Sequence, residues 1–229
     1  TSLLNTPVTA NNTHNTPSFI LFSSGSYSPI TILHTQLMVR IRDYIMYEHK
    51  LGDVLGGYIS PVHDDYKKPS LAAVNGTHRF NMCTLACEHI PWLHSTNIEM
   101  KQHTWVETKL IIDQVNEIFI KLFHLYYPQK QPPTLVFCMG SDVFLSINNP
   151  IWWDQSHVLE FVTKYRIAVV LRENDGPKVK QLIKETEILH KNKANIYVCE
   201  PIFVNTISST LIRHQLEKNM SIHELVTQN

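Results

Sequence analysis

The run Phe19-Ile20-Leu21-Phe22 leads straight into Ser23-Ser24-Gly25-Ser26-Tyr27-Ser28-Pro29-Ile30-Thr31-Ile32-Leu33-His34. Its four apolar residues predict a short buried strand, and Leu33, Leu37, Ile41 and Ile45 then recur at helical spacing. A strand, a tight turn and a helix are expected here. Gly25 permits close approach of another backbone or a phosphate, Pro29 stops the strand, and Thr31 can cap the helix so that His34 lies in its first turn. The unpaired N–H groups and positive dipole end of such a turn favour anions. His34 also shares a face with Leu37, Met38 and Ile41, so the turn alone leaves two readings open, an anion contact and a core histidine.

The alternation continues along the chain. Residues 54–59 read as a second strand, 77–89 as a helix with Phe80, Cys83, Thr84 and Cys87 on one side, and 104–125 as a long helix. A buried strand at 135–138 and a helix at 155–165 follow, and the Ile-Ala-Val-Val-Leu core of 166–171 is the clearest interior strand. Pro177 suits the first turn of a helix on which Val179, Leu182, Ile183 and Thr186 share a face. A short strand at 196–198 and a helix at 208–218 complete the order. Such alternation predicts an α/β fold, a parallel sheet covered by helices on both faces, with ligands at the carboxyl ends of the strands. The 229 residues suffice for one such domain over 19–229. Residues 1–18, rich in Thr and Asn and nearly free of apolar side chains, read as a mobile tail.

Lysine plus arginine equals aspartate plus glutamate at 20 each, which argues against a general nucleic-acid or acidic-membrane binder, so a bound anion must be held by local geometry. No apolar stretch approaches a membrane span and no secretion signal is evident, so an intracellular place, cytoplasmic or nuclear, is expected. Cys83, Cys87, Cys138 and Cys199 lack paired close spacings and read as reduced thiols; a metal site at Cys83, Cys87 and His89 would need further ligands.

The loops after the strands are distinctive. Ser60-Pro61-Val62-His63-Asp64-Asp65-Tyr66-Lys67-Lys68 follows the second strand. In Thr104-Trp105-Val106-Glu107-Thr108 the threonine and glutamate match a capping box, while the indole can either pack or stack on a heterocycle. Gly140 ends the fourth strand with room for a ligand, and Asp142 can accept a ribose hydroxyl or cap the next helix. Pro150-Ile151-Trp152-Trp153 places two indoles in a loop, one of them suited to the core. Ile207-Ser208-Ser209-Thr210-Leu211-Ile212-Arg213 opens a helix with three hydroxyls and carries Arg213 one turn beyond Thr210, a second anion site at a helix start.

Jointly these loops resemble the eukaryotic nicotinamide mononucleotide adenylyltransferases, over nearly the whole chain from about Phe19 to about Val226. Gly25-Ser26-Tyr27-x-Pro29-x-Thr31-x-x-His34 is similar to the nucleotidylyltransferase phosphate signature. Ile59-Ser60-Pro61-Val62-x-Asp64-x-Tyr66-Lys67-Lys68, Glu99-x-x-Gln102-x-x-Trp105-x-Glu107-Thr108, Gly140-x-Asp142, Trp153 and Ile207-Ser208-Ser209-Thr210-x-x-Arg213 match the remaining motifs in order. Pro69 and Ser70 depart from the family's basic residue and glycine, and Ile98 from its tryptophan.

The resemblance implies a Rossmann-like doubly wound sheet, with ATP held by Gly25, Thr31, His34, Gly140, Asp142, Ser208, Ser209, Thr210 and Arg213. It implies a mononucleotide held by Ser26, Tyr27, Lys68, Trp105, Thr108 and Trp153, and His34 and Arg213 as the catalytic pair. The implied reaction joins ATP and nicotinamide mononucleotide, the nicotinate form being left open, into NAD and pyrophosphate. Attack would be in line, without a covalent enzyme intermediate, and Mg²⁺ would bridge the phosphates rather than sit on protein ligands. A homo-oligomer is left open. A sister nucleotidylyltransferase with another phosphorylated acceptor, or a non-catalytic nucleotide-binding or chaperone-like protein on the same fold, are the alternatives.

Overall fold

The computed structural model describes residues 16–66, 74–201 and 207–226. Among them, strands β1 (Ser18–Gly25), β2 (Asp53–Pro61), β3 (Leu93–Ser95), β4 (Thr134–Gly140), β5 (Arg166–Val170) and β6 (Ile196–Cys199) form one sheet. Their order is β3-β2-β1-β4-β5-β6, and each neighbouring pair is parallel. The helices are α1 (Ile32–Asp43, continued by a π-helical turn over Tyr44–Glu48), α2 (Gly76–Cys87), α3 (Thr108–Tyr126), α4 (Ser141–Phe144), α5 (Gln155–Lys164), α6 (Gly176–Glu185), α7 (Glu187–Lys191) and α8 (Ser209–Glu217). This is the doubly wound α/β sheet that the alternation predicts. The strand order reverses between β1 and β4, where chains leave in opposite directions and open a crevice at the carboxyl ends.

Successive side chains on each central strand feed opposite cores. Ile20 and Phe22 of β1, with Leu135, Phe137 and Met139 of β4 and Ile167 and Val169 of β5, pack on α3, α5, α6 and α7. Phe19 and Leu21, with Val136, Cys138 and Ala168, pack on α1 and α2 through Met38, Ile41, Cys83, Ala86 and Cys87. The four cysteines are free and buried, as reduced thiols should be, and all lie in this second layer. Desolvation pushes Cys87 and Cys199 up to about 12 and Cys83 and Cys138 higher still, so none is a thiolate nucleophile near neutral pH. No helix among the described residues is long and apolar enough to cross a membrane.

Among the boundaries that differ from the sequence-based expectation, two have an evident cause or consequence. β1 begins at Ser18, inside the stretch expected as a tail, because Ser18 pairs with Asp53 and the Asp53 amide donates to Pro17 O at 2.9 Å. The long helix begins at Thr108 rather than residue 104, and the Thr104–Glu107 capping box does not form. Residues 104–107 are therefore loop, which takes Trp105 out of the first helical turn.

Candidate active site

A cleft of about 650 Å³ opens at the carboxyl ends of β1 and β4, a size that suits a nucleotide. Gly25, Ser26, Trp105, Thr108, Asp142 and Trp153, all expected from the sequence, line it. The two indoles are held differently. Trp153 donates its Nε1–H to Ser146 Oγ at 3.1 Å and stacks on Phe161 at 6.5 Å, while its neighbour Trp152 is 55 % exposed at the rim. Trp105 is 37 % exposed and its ring lies 5.7 Å from that of Tyr66, so it presents a face to the cleft instead of entering the core.

On the flank of this cleft stands the start of α1. Thr31 is its N-cap, as expected, and the Thr31 amide donates to His34 Nδ1 at 2.9 Å. With that nitrogen accepting, the ring proton belongs on Nε2, which makes Nε2–H the imidazole's donor. Tyr27, expected among the residues that hold a mononucleotide, does not bring its ring to the cleft. Its backbone turns at φ 44°, and its ring is 3 % exposed, donating the phenol to Ser23 Oγ at 3.0 Å and meeting His34 edge-on at 5.1 Å. The ring buttresses His34 and does not line the cleft. It also explains Gly25, since a Cβ there would lie 3.0 Å from the Tyr27 ring: the glycine makes room for that ring, where the sequence allowed another backbone or a phosphate.

The start of α8 is tied to the same corner. Ser208 caps the helix by accepting the Leu211 amide at 3.1 Å, and Ser209 Oγ donates to Pro29 O at 2.7 Å. Arg213 donates through Nη1 to Ser28 O at 2.5 Å and through Nη2 to Thr210 Oγ1 at 3.1 Å. All three hydroxyls thus have protein partners, and two helix N-termini are clamped side by side through residues 28 and 29. His34, Thr31, Ser208, Ser209, Thr210 and Arg213 form this flank, beside the lined cleft rather than in it. Asp142 sits in the first turn of α4 and pairs with Arg172 at 3.4 Å; it is not a cap. A Cβ on Gly140 would approach Asp142 Oδ1 to 2.6 Å, so this glycine admits the carboxylate. Lys68 lies outside the described residues. Among the described residues no three His, Cys, Asp or Glu side chains converge to hold a metal ion.

Two supporting residues have no role in the sequence analysis: Arg79 is not singled out there, and Glu99 stands only as a motif position. Arg79 of α2 is fully buried, and its guanidinium donates to Val74 O (3.2 Å), Ser26 O (3.0 Å), Val62 O (2.8 Å) and Asp64 Oδ1 (2.7 Å). One side chain therefore fastens the loops after β1 and β2. Burial works against the Asp64 carboxylate, but the Arg79 bond and the Gly76 amide hold it below its ordinary value. The available signal was an arginine on the same helical face as Cys83 and Cys87.

Glu99, 3 % exposed, lies against the hydroxyls of Ser24 and Ser60, and its Oε1 finds no hydrogen-bond partner among the described residues. Desolvation pushes this carboxyl from 4.5 up to about 7, against the opposing pull of Ser60, Ser24 and Arg79. A carboxyl raised on folding binds its proton more tightly in the native state, so stability falls as pH rises from 4.5 to about 7 and then levels off. Calorimetric scans should find Glu99→Gln more heat-stable than the native protein above pH 7 and equal to it near pH 4. A difference independent of pH would remove the buried acid as its cause.

A family model described as cytidylyltransferase-like matches residues 22–215. A protein of Arabidopsis thaliana named nicotinamide/nicotinic acid mononucleotide adenylyltransferase is 29 % identical over 214 residues, covering 93 % of this chain and 86 % of its own. One of the same name from Oryza sativa is 30 % identical over 207 residues, covering 90 % and 80 %. Form 2 of that enzyme in Saccharomyces cerevisiae is 31 % identical over 211 residues, covering 90 % and 52 %, so the chain spans about half of the yeast relative's length. Among solved structures, nicotinic acid mononucleotide adenylyltransferase of Plasmodium falciparum complexed with NaAD superposes with a TM-score of 0.61 at 18 % identity, over 91 % of this chain and 90 % of that one, a likeness of fold.

Proposed function

Because the chain belongs to the cytidylyltransferase-like nucleotidyltransferases, and within them to the nicotinamide/nicotinic acid mononucleotide adenylyltransferases of NAD synthesis, we propose that it joins ATP to nicotinamide mononucleotide, releasing pyrophosphate. The observation that carries this reading is the cleft walled by two differently held indoles, beside two helix N-termini clamped together. The indoles suit a flat pyridine ring. The helix starts, with His34 and Arg213, suit a chain of phosphates.

The attacking atom is a phosphate oxygen of the mononucleotide. Its second pKa is about 6, so it is largely dianionic at neutral pH and needs no protein base. No covalent enzyme intermediate is required, and the raised thiols offer none. The chain's task is alignment and charge. His34 Nε2–H donates to the α-phosphate as charge builds on it. Arg213 and the amides at Ser208, Ser209 and Thr210 hold the β and γ groups, with Arg213 exchanging its Ser28 carbonyl for phosphate oxygens. Gly140 and Asp142 receive the adenosine, and Ser26, Thr108, Trp105 and Trp153 the mononucleotide. Mg²⁺ would enter with ATP as part of the substrate and would offset charge on its phosphates.

The test is NAD formation from ATP, Mg²⁺ and nicotinamide mononucleotide, read through a coupled dehydrogenase, with Trp105→Ala beside the native protein. The native protein should make NAD. The variant should raise KM for the mononucleotide about tenfold, with kcat changed far less, since stacking of about 1–3 kcal/mol is lost from bound substrate and transition state alike. ATP binding without product from the native protein would sink the reading.

A further inference from the structure

We propose that Glu107 and His157 act as one charge-coupled pair that sets the balance between a neutral and an anionic pyridine substrate, nicotinamide against nicotinate mononucleotide. The inference rests on the mononucleotide reading of the cleft. Both side chains line that cleft together with Trp105, Thr108 and Trp153. Glu107 stands at the N-cap of α3 between Trp105 and Thr108, yet its carboxylate makes no cap bond. It accepts instead from His157 Nδ1–H at 2.5 Å, across 50 residues of chain. His157 lies in the first turn of α5, four positions after Trp153. One hydrogen bond therefore joins the segment carrying the first indole to the segment carrying the second.

The other charged side chains of the lining are turned to partners of their own. Lys109 is held by Asp113 at 2.9 Å and by Glu160, Asp142 faces Arg172 at 3.4 Å, and Asp154 caps α5 through the Ser156 amide at 2.8 Å. The Glu107–His157 bond is thus the charge contact placed between the two indole walls. Its consequence follows from the two substrates, which differ only in the group on the pyridine ring. Nicotinate carries a carboxylate there, and nicotinamide a neutral amide with N–H donors. A Glu107 carboxylate held by the imidazole N–H has its Oε2 engaged. Released from it, the same carboxylate accepts from the amide of nicotinamide and repels the carboxylate of nicotinate. These are positioning residues that act through each other, without contact to the reacting phosphates.

The experiment is kcat/KM with ATP for each mononucleotide, expressed as the nicotinate-to-nicotinamide ratio. His157→Ala should lower that ratio about fivefold, the size expected for one charge contact partly screened by water, and Glu107→Gln should raise it by a similar factor. In the double variant, removal of the histidine should change the ratio little, because no carboxylate remains to be released. His157→Asn, whose amide can stand in for Nδ1–H, should return the ratio toward the native value. Equal losses on both substrates, with the ratio unmoved in either single variant, would overturn the proposal and leave a structural clasp. Should a variant turn over too slowly, the ratio of the two dissociation constants by calorimetry decides between the same two outcomes. Failure of the native protein to make a dinucleotide from either substrate would overturn the function reading instead, and the proposal with it.

Discussion

His34→Ala is expected to lower turnover by about 10² to 10³ at saturating substrates, the loss that follows removal of one donor aimed at developing charge. The donor is specified by structure. Since the Thr31 amide occupies Nδ1 at 2.9 Å, the imidazole must offer Nε2–H, and the edge-on Tyr27 ring at 5.1 Å limits how that donor can swing. The effect on folding is much smaller. The substitution strips the Thr31 amide of its acceptor, a capping loss of about 1 kcal/mol, which in a protein of this size lowers Tm by roughly 2–4 °C. Steady-state assays beside thermal melts separate the two quantities. Near-native turnover in a variant with a slightly lowered Tm would mean that His34 is a cap and nothing more.

Arg79→Met should produce the opposite pattern, a protein that has lost about 3–5 kcal/mol of stability, read as a shift in urea midpoint. The guanidinium is buried and satisfies four acceptors in three segments, so its removal leaves the carbonyls of Ser26, Val62 and Val74 and the Asp64 carboxylate short of donors at once. Arg79→Lys should rescue little of it, because one ammonium cannot reach acceptors arranged around a planar fork. Surviving activity should show a raised KM for the mononucleotide, because Ser26 and Val62 line the cleft. A midpoint within experimental error of the native value would refute the clamp.

Sheet and helix order were legible because the central strands are buried on both faces and the covering helices carry regular apolar stripes. β3 was not, since Leu93–Ser95 is three residues with a single buried side chain, too short for any periodicity. Cap chemistry at Thr31 is local, and the sequence placed it correctly, whereas Ser208, read as part of an anion site, is the N-cap of α8. At Glu107 the local pattern misled: the capping-box spacing is present, but the carboxylate turns to His157, a partner no window of neighbouring residues contains. The Tyr27 ring lies away from the cleft for a steric reason that spacing does not carry, because the left-handed turn at φ 44° folds it back over Gly25. Motif spacing picked out Gly25, Ser26, Trp105, Thr108, Asp142 and Trp153, which line one cleft. It is silent on whether a side chain faces inward or outward.

The clamp between α8 and the first turn has a consequence in time. Ser209 and Arg213 reach back 180 and 185 residues to the carbonyls of Pro29 and Ser28. At a synthesis rate of about 5–20 residues per second, roughly 10 to 35 s separate the emergence of the two halves of that corner from a ribosome. Through that interval β1 to β5 can assemble and bury their cores, while the second helix start does not yet exist. A nucleotide therefore cannot template the early stages of folding by bridging the two helix starts. It can only lock a molecule in which α8 has already docked, and tight nucleotide binding becomes a signature of that docked corner.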